Sequence, residues 1–371
     1  MAPSTPARAQ EQDWTLEYAR FRFAVFEQEG RGVQSQWRTQ GELPNLRGSE
    51  HAWIFQPVAG FRLRQDRNAV HNVAIPIDIV TAASTDGLDA VTSESRENEA
   101  ATIDVVSSVR TSEHTTVHIH WGGHLEEPFG SGFLGATVET SLAEDNATLR
   151  LGVETIHDTF DPIQYNGNDP GLSHRQTWSV NGSLSQLLSP TTIVGGSYTF
   201  TGQIGVLETT YNSVPTESGG RLGDYFGNTR GRHTFTFNLR HGVEETRTFF
   251  WLDYRFYADS FDAVANTAQL TLTQYLGPVW IRAHYRFHHQ FAPSFWTSVV
   301  PDDFPRWMPR TGDSDLESFL AHEVGASIRW FFDPHGALTA SSSFAQLSYI
   351  YYARSNSLES HVGAFDFGLS Y

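Results

Sequence analysis

The chain contains no cysteine. Disulfides, thiolate metal sites, cysteine nucleophiles and covalently attached c-type haem are therefore excluded. Compartment is not, because many exported bacterial proteins avoid the residue. No window approaches the 18 or so consecutive apolar residues that a membrane-spanning helix needs. There is no run of basic residues either. With a net charge of −17 over 371 residues, the basic face required for binding nucleic acid is missing, and no nucleic-acid partner is expected. No cofactor is expected.

What the chain does have is aromatic residues and alternation. It carries 26 Phe, 13 Tyr and 10 Trp. In "HTFTFNLRH", Phe235, Phe237 and Leu239 alternate with Thr234, Thr236, Asn238 and Arg240. In "FFWLDYRFYAD", Phe250, Leu252, Tyr254 and Phe256 alternate with Trp251, Asp253, Arg255, Tyr257 and Asp259. In "WIRAHYRFHHQ", Ile281, Ala283, Tyr285 and Phe287 alternate with Arg282, His284, Arg286 and His288. A period of two is the signature of a strand with unlike faces. A soluble sandwich alternates in this way too. Here, however, the segments are long, they number about 16, and their apolar faces are rich in aromatics, as in a membrane barrel.

Strands are placed at 17–27, 53–64, 70–80, 100–109, 114–124, 131–141, 147–157, 175–187, 191–203, 231–242, 246–258, 265–276, 279–290, 318–331, 337–352 and 360–371. The connections tend to alternate between short ("QDRNA", "AEDNA", "SPTT", "VEET", "LGP", "DPHGA") and long (28–52, 81–99, 158–174, 204–230, 291–317). The fold expected is all-β: a single transmembrane antiparallel barrel of about 16 strands in the bacterial outer membrane, with short periplasmic turns and long extracellular loops. Outer-membrane lipid is its first partner. At the N-terminus, Ala7-Arg8-Ala9 fits a signal-peptidase site without the apolar segment that should precede it. Residues 1–9 are read as the trimmed end of a signal peptide and 10–371 as the barrel. At the other end, "AFDFGLSY" sets Phe365, Phe367, Leu369 and Tyr371 on one face, which resembles the C-terminal targeting signal of bacterial barrels.

Several short motifs resemble an uncharacterised family of bacterial proteins, a domain of unknown function expected to form outer-membrane barrels. "VFEQEGR", through Phe26 and Glu27 or Glu29, is similar to its aromatic-x-Glu opening. "DIVTAAST" resembles a second motif, with Thr85 in place of a proline. "LEEPFGSG" resembles a third, with Pro128 and Phe129 where Asp-Tyr is usual. Asp253, Tyr254, Arg255, Tyr257 and Asp259 match a strand motif, and Tyr285, Arg286 and Gln290 match another. "RTGDSDLESF" resembles the last. The resemblance implies a barrel and its location but no activity. Some members of that family look to be encoded near thioredoxin-like and flavin-transferase proteins, which the resemblance offers as a hint of periplasmic redox work.

Four of the 16 histidines fall in "HTTVHIHWGGH". His114, His118, His120 and His124 share one parity; Val117, Ile119 and Trp121 take the other. On a strand the histidines then face the lumen and the apolar residues face lipid. His118 and His120 are the candidate metal pair, although zinc wants three or four ligands. His284 and His288 lie about eight strands away, across a barrel roughly 30 Å wide, and cannot complete that site. The expected lumen lining is His114, His124, Asp253, Arg255, Tyr257, Asp259, Arg282, His284, Arg286, His288 and Gln290. Its opposed charges suit the transverse field of a diffusion pore or an ion-pair network that stiffens the wall.

Enzyme chemistry has weak support. His241 and His322 face lipid at strand ends, and the adjacent His157 and Asp158 must point to opposite faces. The chain is read as a non-enzyme: a porin-like channel or a scaffold for an exported process. The alternative is a partner-binding sleeve for a periplasmic redox or metal-handling protein. The loop containing Trp296, Phe304 and Trp307 is expected to fold over or into the mouth, or to dock a surface partner. Deleting 360–371 is expected to abolish outer-membrane insertion; normal assembly of the truncated chain, read by heat-modifiable gel migration, would refute the terminal-signal reading.

Overall fold

The structure is a computed structural model describing residues 14–30, 50–82, 98–126, 129–162, 164, 168–208, 212–332 and 343–370. Its strands are β1 (Thr15–Gly30), β2 (Glu50–Arg64), β3 (Ala69–Ala82), β4 (Asn98–Arg110), β5 (Thr115–Glu126), β6 (Phe129–Leu142), β7 (Ala147–Phe160), β8 (Ser173–Ser189), β9 (Thr192–Gly205), β10 (Ser213–Pro215), β11 (Arg221–Gly223), β12 (Thr229–Val243), β13 (Thr248–Asp259), β14 (Val264–Leu276), β15 (Val279–Phe291), β16 (Phe319–Phe331), β17 (Phe344–Arg354) and β18 (Glu359–Ser370). Sixteen of them close a barrel in which each strand pairs antiparallel with its neighbours; β10 and β11 form a separate two-stranded sheet. Closure is made by β1 and β18, in register from Tyr18↔Ser370 to Glu29↔Glu359. Inside that seam Arg20 Nε donates to Asp366 Oδ1 at 3.1 Å. A wall with no free edge leaves no backbone polar group facing lipid, so strands can cross a bilayer only when closed in this way.

The strand count is that expected from the alternation. The small sheet β10–β11 lies in what was read as loop 204–230; three-residue strands are too short to show a period. The strand β17 is described from Phe344, and residues 337–342 of the strand expected at 337–352 lie outside the described residues. The expected signal remnant at 1–9, residues 83–85 of the second motif, Glu127 and Pro128 of the third, the whole of "DPHGA" and Tyr371 lie outside the described residues.

Short turns collect at one rim, the periplasmic one. The links 190–191 and 277–278 are two residues each, and in the second Gly277 takes φ of 64°, a conformation glycine adopts without steric cost. The long connections collect at the other rim, although 127–128, 260–263 and 355–358 are short there too.

The outer wall is apolar. Phe235 is 49% exposed, Phe237 47%, Ile281 44%, Leu270 52% and Val324 53%, and that exposure is contact offered to lipid. Every inward arginine occupies the opposite parity. Turning an arginine to lipid costs about 2–4 kcal/mol at mid-membrane and less towards either interface, so a one-residue slip of β15 would lose about 2–4 kcal/mol through Arg286 and a smaller amount through Arg282. This locks the register as firmly as the hydrogen bonds do.

The interior is not a packed core. Several side chains that point inward are solvent-exposed, Arg20 at 43%, Asp104 at 41% and Arg150 at 57%, while Asp158, Asp259 and Asp366 are buried in ion pairs with arginines. The buried apolar cluster is Trp280, Phe331 and Phe344, near the periplasmic end, with Tyr18 and Tyr275 against it. Single cysteines at Phe235, Phe237, Ile281 and Phe287 are expected to resist a membrane-impermeant thiol reagent, while those at Arg255, Arg282, His284 and Arg286 react. The reverse pattern would place the register one residue off.

Candidate functional site in the barrel lumen

Two charged sectors face each other across the lumen. The first runs over β3–β7. Asp78, Asp104, Glu126, Glu139, Glu154 and Asp158 point inward from these five strands, and the histidines of β5 are threaded among them. His118 Nδ1 lies 2.8 Å from Ser108 Oγ, and its Nε2 is 3.6 Å from Glu139. His120 bridges two carboxylates, with Nδ1 at 2.7 Å from Glu154 Oε2 and Nε2 at 3.2 Å from Asp104 Oδ1. His124 spans Thr102 Oγ1 at 2.8 Å and Glu126 Oε2 at 3.3 Å. Gly122 lets the row lie flat: a Cβ there would sit 2.0 Å from the Ile103 carbonyl oxygen and 2.5 Å from the Phe133 ring. Phe133 in turn packs against His120, with ring centroids 4.8 Å apart.

His114 is not on this wall. It falls in the turn before β5, where its Nδ1 is 3.4 Å from Asp145 of the next periplasmic turn. The even parity of His114 is real, but the strand begins one residue later, at Thr115. His118 and His120 do share a face. Both ring nitrogens of His120 are already engaged by carboxylates. Among the described residues no group of three or more His, Asp or Glu is placed to hold a metal ion.

The second sector, β12–β17, is dominated by arginine. Arg230 pairs with Asp259. Tyr257 also donates to Asp259, at 2.8 Å. The other Asp259 oxygen accepts from the Phe261 and Ala263 amides at 2.9 and 3.1 Å, fixing the tight turn 260–263. Asp253 faces inward opposite Asn238 on β12 and Gln269 on β14. His284 Nε2 lies 3.0 Å from Glu323, whose other oxygen is 3.6 Å from Arg286. His288 Nδ1 lies 2.8 Å from Thr267 Oγ1. Gln290, at the extracellular end, donates to the carbonyls of Asp315 and Glu317 at 2.7 and 3.0 Å. Arg255 makes no hydrogen bond or ion pair among the described residues, and the charge beside it is that of Arg286. Arg232 has a buried Nε without a partner among them.

One feature of this sector could not be read from strand patterns. Near the periplasmic end, arginines and aromatic rings alternate across the wall. Arg240 lies 5.1 Å from the Trp251 ring centre and Arg282 4.7 Å from the same ring on its other side. Arg282 is also 4.5 Å from Trp280, Arg329 4.9 Å from Trp280, and Arg329 3.7 Å from Phe344. Stacking of this kind holds guanidiniums in place without neutralising them. Of these residues Arg282 alone is expected in the lumen lining from the sequence, because the stacking partners come from separate strands.

The pairs considered for catalysis are apart or engaged. His157 faces outward beside Gln176, whereas Asp158 faces inward and accepts from Arg175 at 2.7 Å. His241 meets Thr192 at 2.9 Å, and His322 meets Tyr285 at 2.7 Å, both on the outer wall.

At the extracellular mouth the two long connections 206–228 and 292–318 fold on each other. Thr216 bridges Val300, Tyr225 bridges Arg310, and Val214, Val300 and Thr311 are at most 1% exposed. Phe226, Phe261 and Phe295 pack with centroids 5.1–6.0 Å apart. Gln290 and Arg354, both inward-facing, hold the segment 315–317 over the lumen. Trp296 is fastened, its Nε1 donating to the Asp313 carbonyl at 2.9 Å, while Trp307 stands 74% exposed. Asp224 is buried between the loops. One oxygen accepts from Thr311 Oγ1 at 2.8 Å and the other has no partner among the described residues. Burial pushes this carboxyl up to about 7, reinforced by the Asp313 carboxylate and opposed by Thr311 and Arg310.

A closed sixteen-stranded barrel with an apolar outer wall and charged side chains inside is an outer-membrane β-barrel of the porin-like class. The chain belongs to DUF3570, a family of proteins of unknown function, which it matches over residues 76–344. No curated protein sequence matches it. Among solved structures it is similar to a bacterial polysaccharide outer-membrane secretin, with 9% identity, TM-score 0.51, and coverage of 95% of this chain and 98% of that one. It also matches Pseudomonas aeruginosa OccK2 (OpdF) in complex with glucuronate, with 9% identity, TM-score 0.44, and 96% and 98% coverage. A BenF-like porin from Pseudomonas fluorescens Pf-5 matches with 7% identity, TM-score 0.45, and 96% and 99% coverage.

The Asp224 carboxyl gives the mouth a pH dependence. A folded-state value of about 7 against the ordinary 3.8 means that protonation and loop packing favour each other. The contribution is complete in acid and is lost as pH rises through about 7. A Val300→Cys thiol is therefore expected to react faster per thiolate at about pH 8 than at about pH 5.5. Adding Asp224→Asn should flatten that response; an equal pH response in both proteins would count against it.

Proposed function

We propose that the barrel is a passive channel for small hydrophilic solutes, with a preference for anions. The observation that carries this reading is the interior itself. Several inward charged side chains are solvent-exposed, Arg255 makes no hydrogen bond or ion pair among the described residues, and the Arg232 Nε has no partner among them. A wide polar lumen with an arginine sector on one wall and a carboxylate–histidine sector on the other imposes a field across the path. An anion passing through meets fixed, stacked guanidiniums along β12–β17 and is steered away from the acids of β3–β7.

The histidines of β5 are read as part of the acidic wall, and metal affinity at His118 and His120 as incidental. The reading as a sleeve for a periplasmic redox or metal-handling protein has no observation of its own. A surface partner is favoured by one, the exposed Trp307 beside Met308 on the mouth loop.

In planar bilayers the purified protein is expected to conduct, and under a KCl gradient its reversal potential should have the sign of chloride preference. Arg255→Gln with Arg286→Gln should move that potential towards zero while conductance persists. A silent bilayer, or a reversal potential unmoved by the double substitution, would contradict the proposal.

A further inference from the structure

The outer wall carries one arrangement three times, and it is independent of solute passage. Each copy joins a strand that climbs towards the extracellular rim to the strand that follows it in the wall. The climbing strand bears two outward aromatics, two residues apart: Tyr198 and Phe200 on β9, Tyr285 and Phe287 on β15, Tyr349 and Tyr351 on β17. The next strand sets a histidine directly opposite the upper aromatic: Phe200↔His233, Phe287↔His322 and Tyr351↔His361. In all three the lower tyrosine reaches up to the histidine. The phenol oxygen lies 2.8, 2.7 and 2.6 Å from Nδ1 of His233, His322 and His361. The rings are set alike too, at 5.0, 5.4 and 5.0 Å from the upper aromatic and 6.1 Å from the lower in each case.

Position decides what these stations can meet. The histidines lie within four residues of the extracellular ends of β12, β16 and β18. At ~3.3 Å per residue and a tilt of ~40°, that is roughly 5–10 Å below the rim, at the upper boundary of a ~25 Å apolar band. The neighbour there is the headgroup layer of the outer leaflet. Chemistry narrows it further. With the phenol O–H donating to Nδ1, the remaining ring hydrogen sits on Nε2 and is free to donate. The sequence has no lysine, and no arginine on the described barrel strands faces outward, so histidine is the basic side chain of this surface. The flanking aromatic faces are suited to lying against a sugar ring.

We propose that the His233 and His322 stations bind the phosphate-bearing sugar headgroups of outer-leaflet glycolipid, the imidazole donating to phosphate. The His361 station differs. Glu27 lies beside it in register, and Glu359 bonds Tyr351. Those carboxylates disfavour phosphate and make this copy the internal control.

The test uses the full chain in detergent with diphosphoryl lipid A as probe and phosphatidylcholine as comparison, bound lipid being counted by native mass spectrometry. Heat-modifiable migration verifies that each variant is folded. His233→Gln with His322→Gln should weaken lipid A binding about tenfold or more, the ordinary effect of losing hydrogen bonds to a charged group. Tyr198→Phe with Tyr285→Phe, which removes only two oxygens, should weaken it in the same direction and serves if the first variant fails to fold. His361→Gln should leave it unchanged. Equal lipid A binding by the wild type and both double variants would overturn the proposal. So would phosphatidylcholine binding as well as lipid A, or a change of oligomeric state with lipid binding intact, which would assign the stations to barrel–barrel contact.

Discussion

Closure of the hydrogen-bonded wall is the constraint from which the rest of this molecule follows. In hydrocarbon an unpaired amide or carbonyl costs several kcal/mol, so the β1–β18 seam has to exist for any strand to cross. Once the wall is closed, each strand has one face in lipid and one in the lumen, with no third place for a charge to go. The inward position of every arginine on the described barrel strands, and the Arg20–Asp366 contact at the seam itself, are consequences of that geometry as much as of function.

What the geometry does not dictate is how the charges are distributed around the circumference. Mixed acids and arginines on every strand would satisfy the wall equally well. Instead the acids concentrate on β3–β7 and most of the arginines on β12–β17 and on β1 and β2. Many of the acids are bonded to the histidines of β5, and the arginines near the periplasmic end are held between Trp251, Trp280 and Phe344. Rings keep guanidiniums apart and oriented without cancelling their charge, which a carboxylate partner would do. The extracellular mouth is built by a different principle: its loops have a small apolar nucleus of their own, with one buried carboxyl, Asp224, in it.

Strands were legible because a period of two repeats for ten residues or more and cannot be mistaken over that length. Inward and outward faces followed from the same signal, so the positions of His118, His120, Arg255, Arg282 and Gln290 were available before any coordinates. The limits have physical causes. His114 continues the parity of β5 but lies beyond the last ladder pair, and alternation alone does not say where pairing stops. The arginine–aromatic stack and the Tyr–His stations depend on the register between strands, which local sequence does not encode. Packing between loops 206–228 and 292–318 joins segments far apart in the chain. In "LGDYFG" nothing distinguishes Asp224 from any exposed loop acid.

The central claim is that the lumen is water-filled and electrically divided. Crystals of the protein soaked in bromide, with anomalous scattering used to locate the ion, test it most directly. The account predicts ordered bromide inside the barrel against Arg255, Arg286 and Arg232, and none along the Asp104–Glu139–Glu154 wall. Bromide spread evenly over both walls, or a lumen filled by protein where those arginines should meet water, would contradict it.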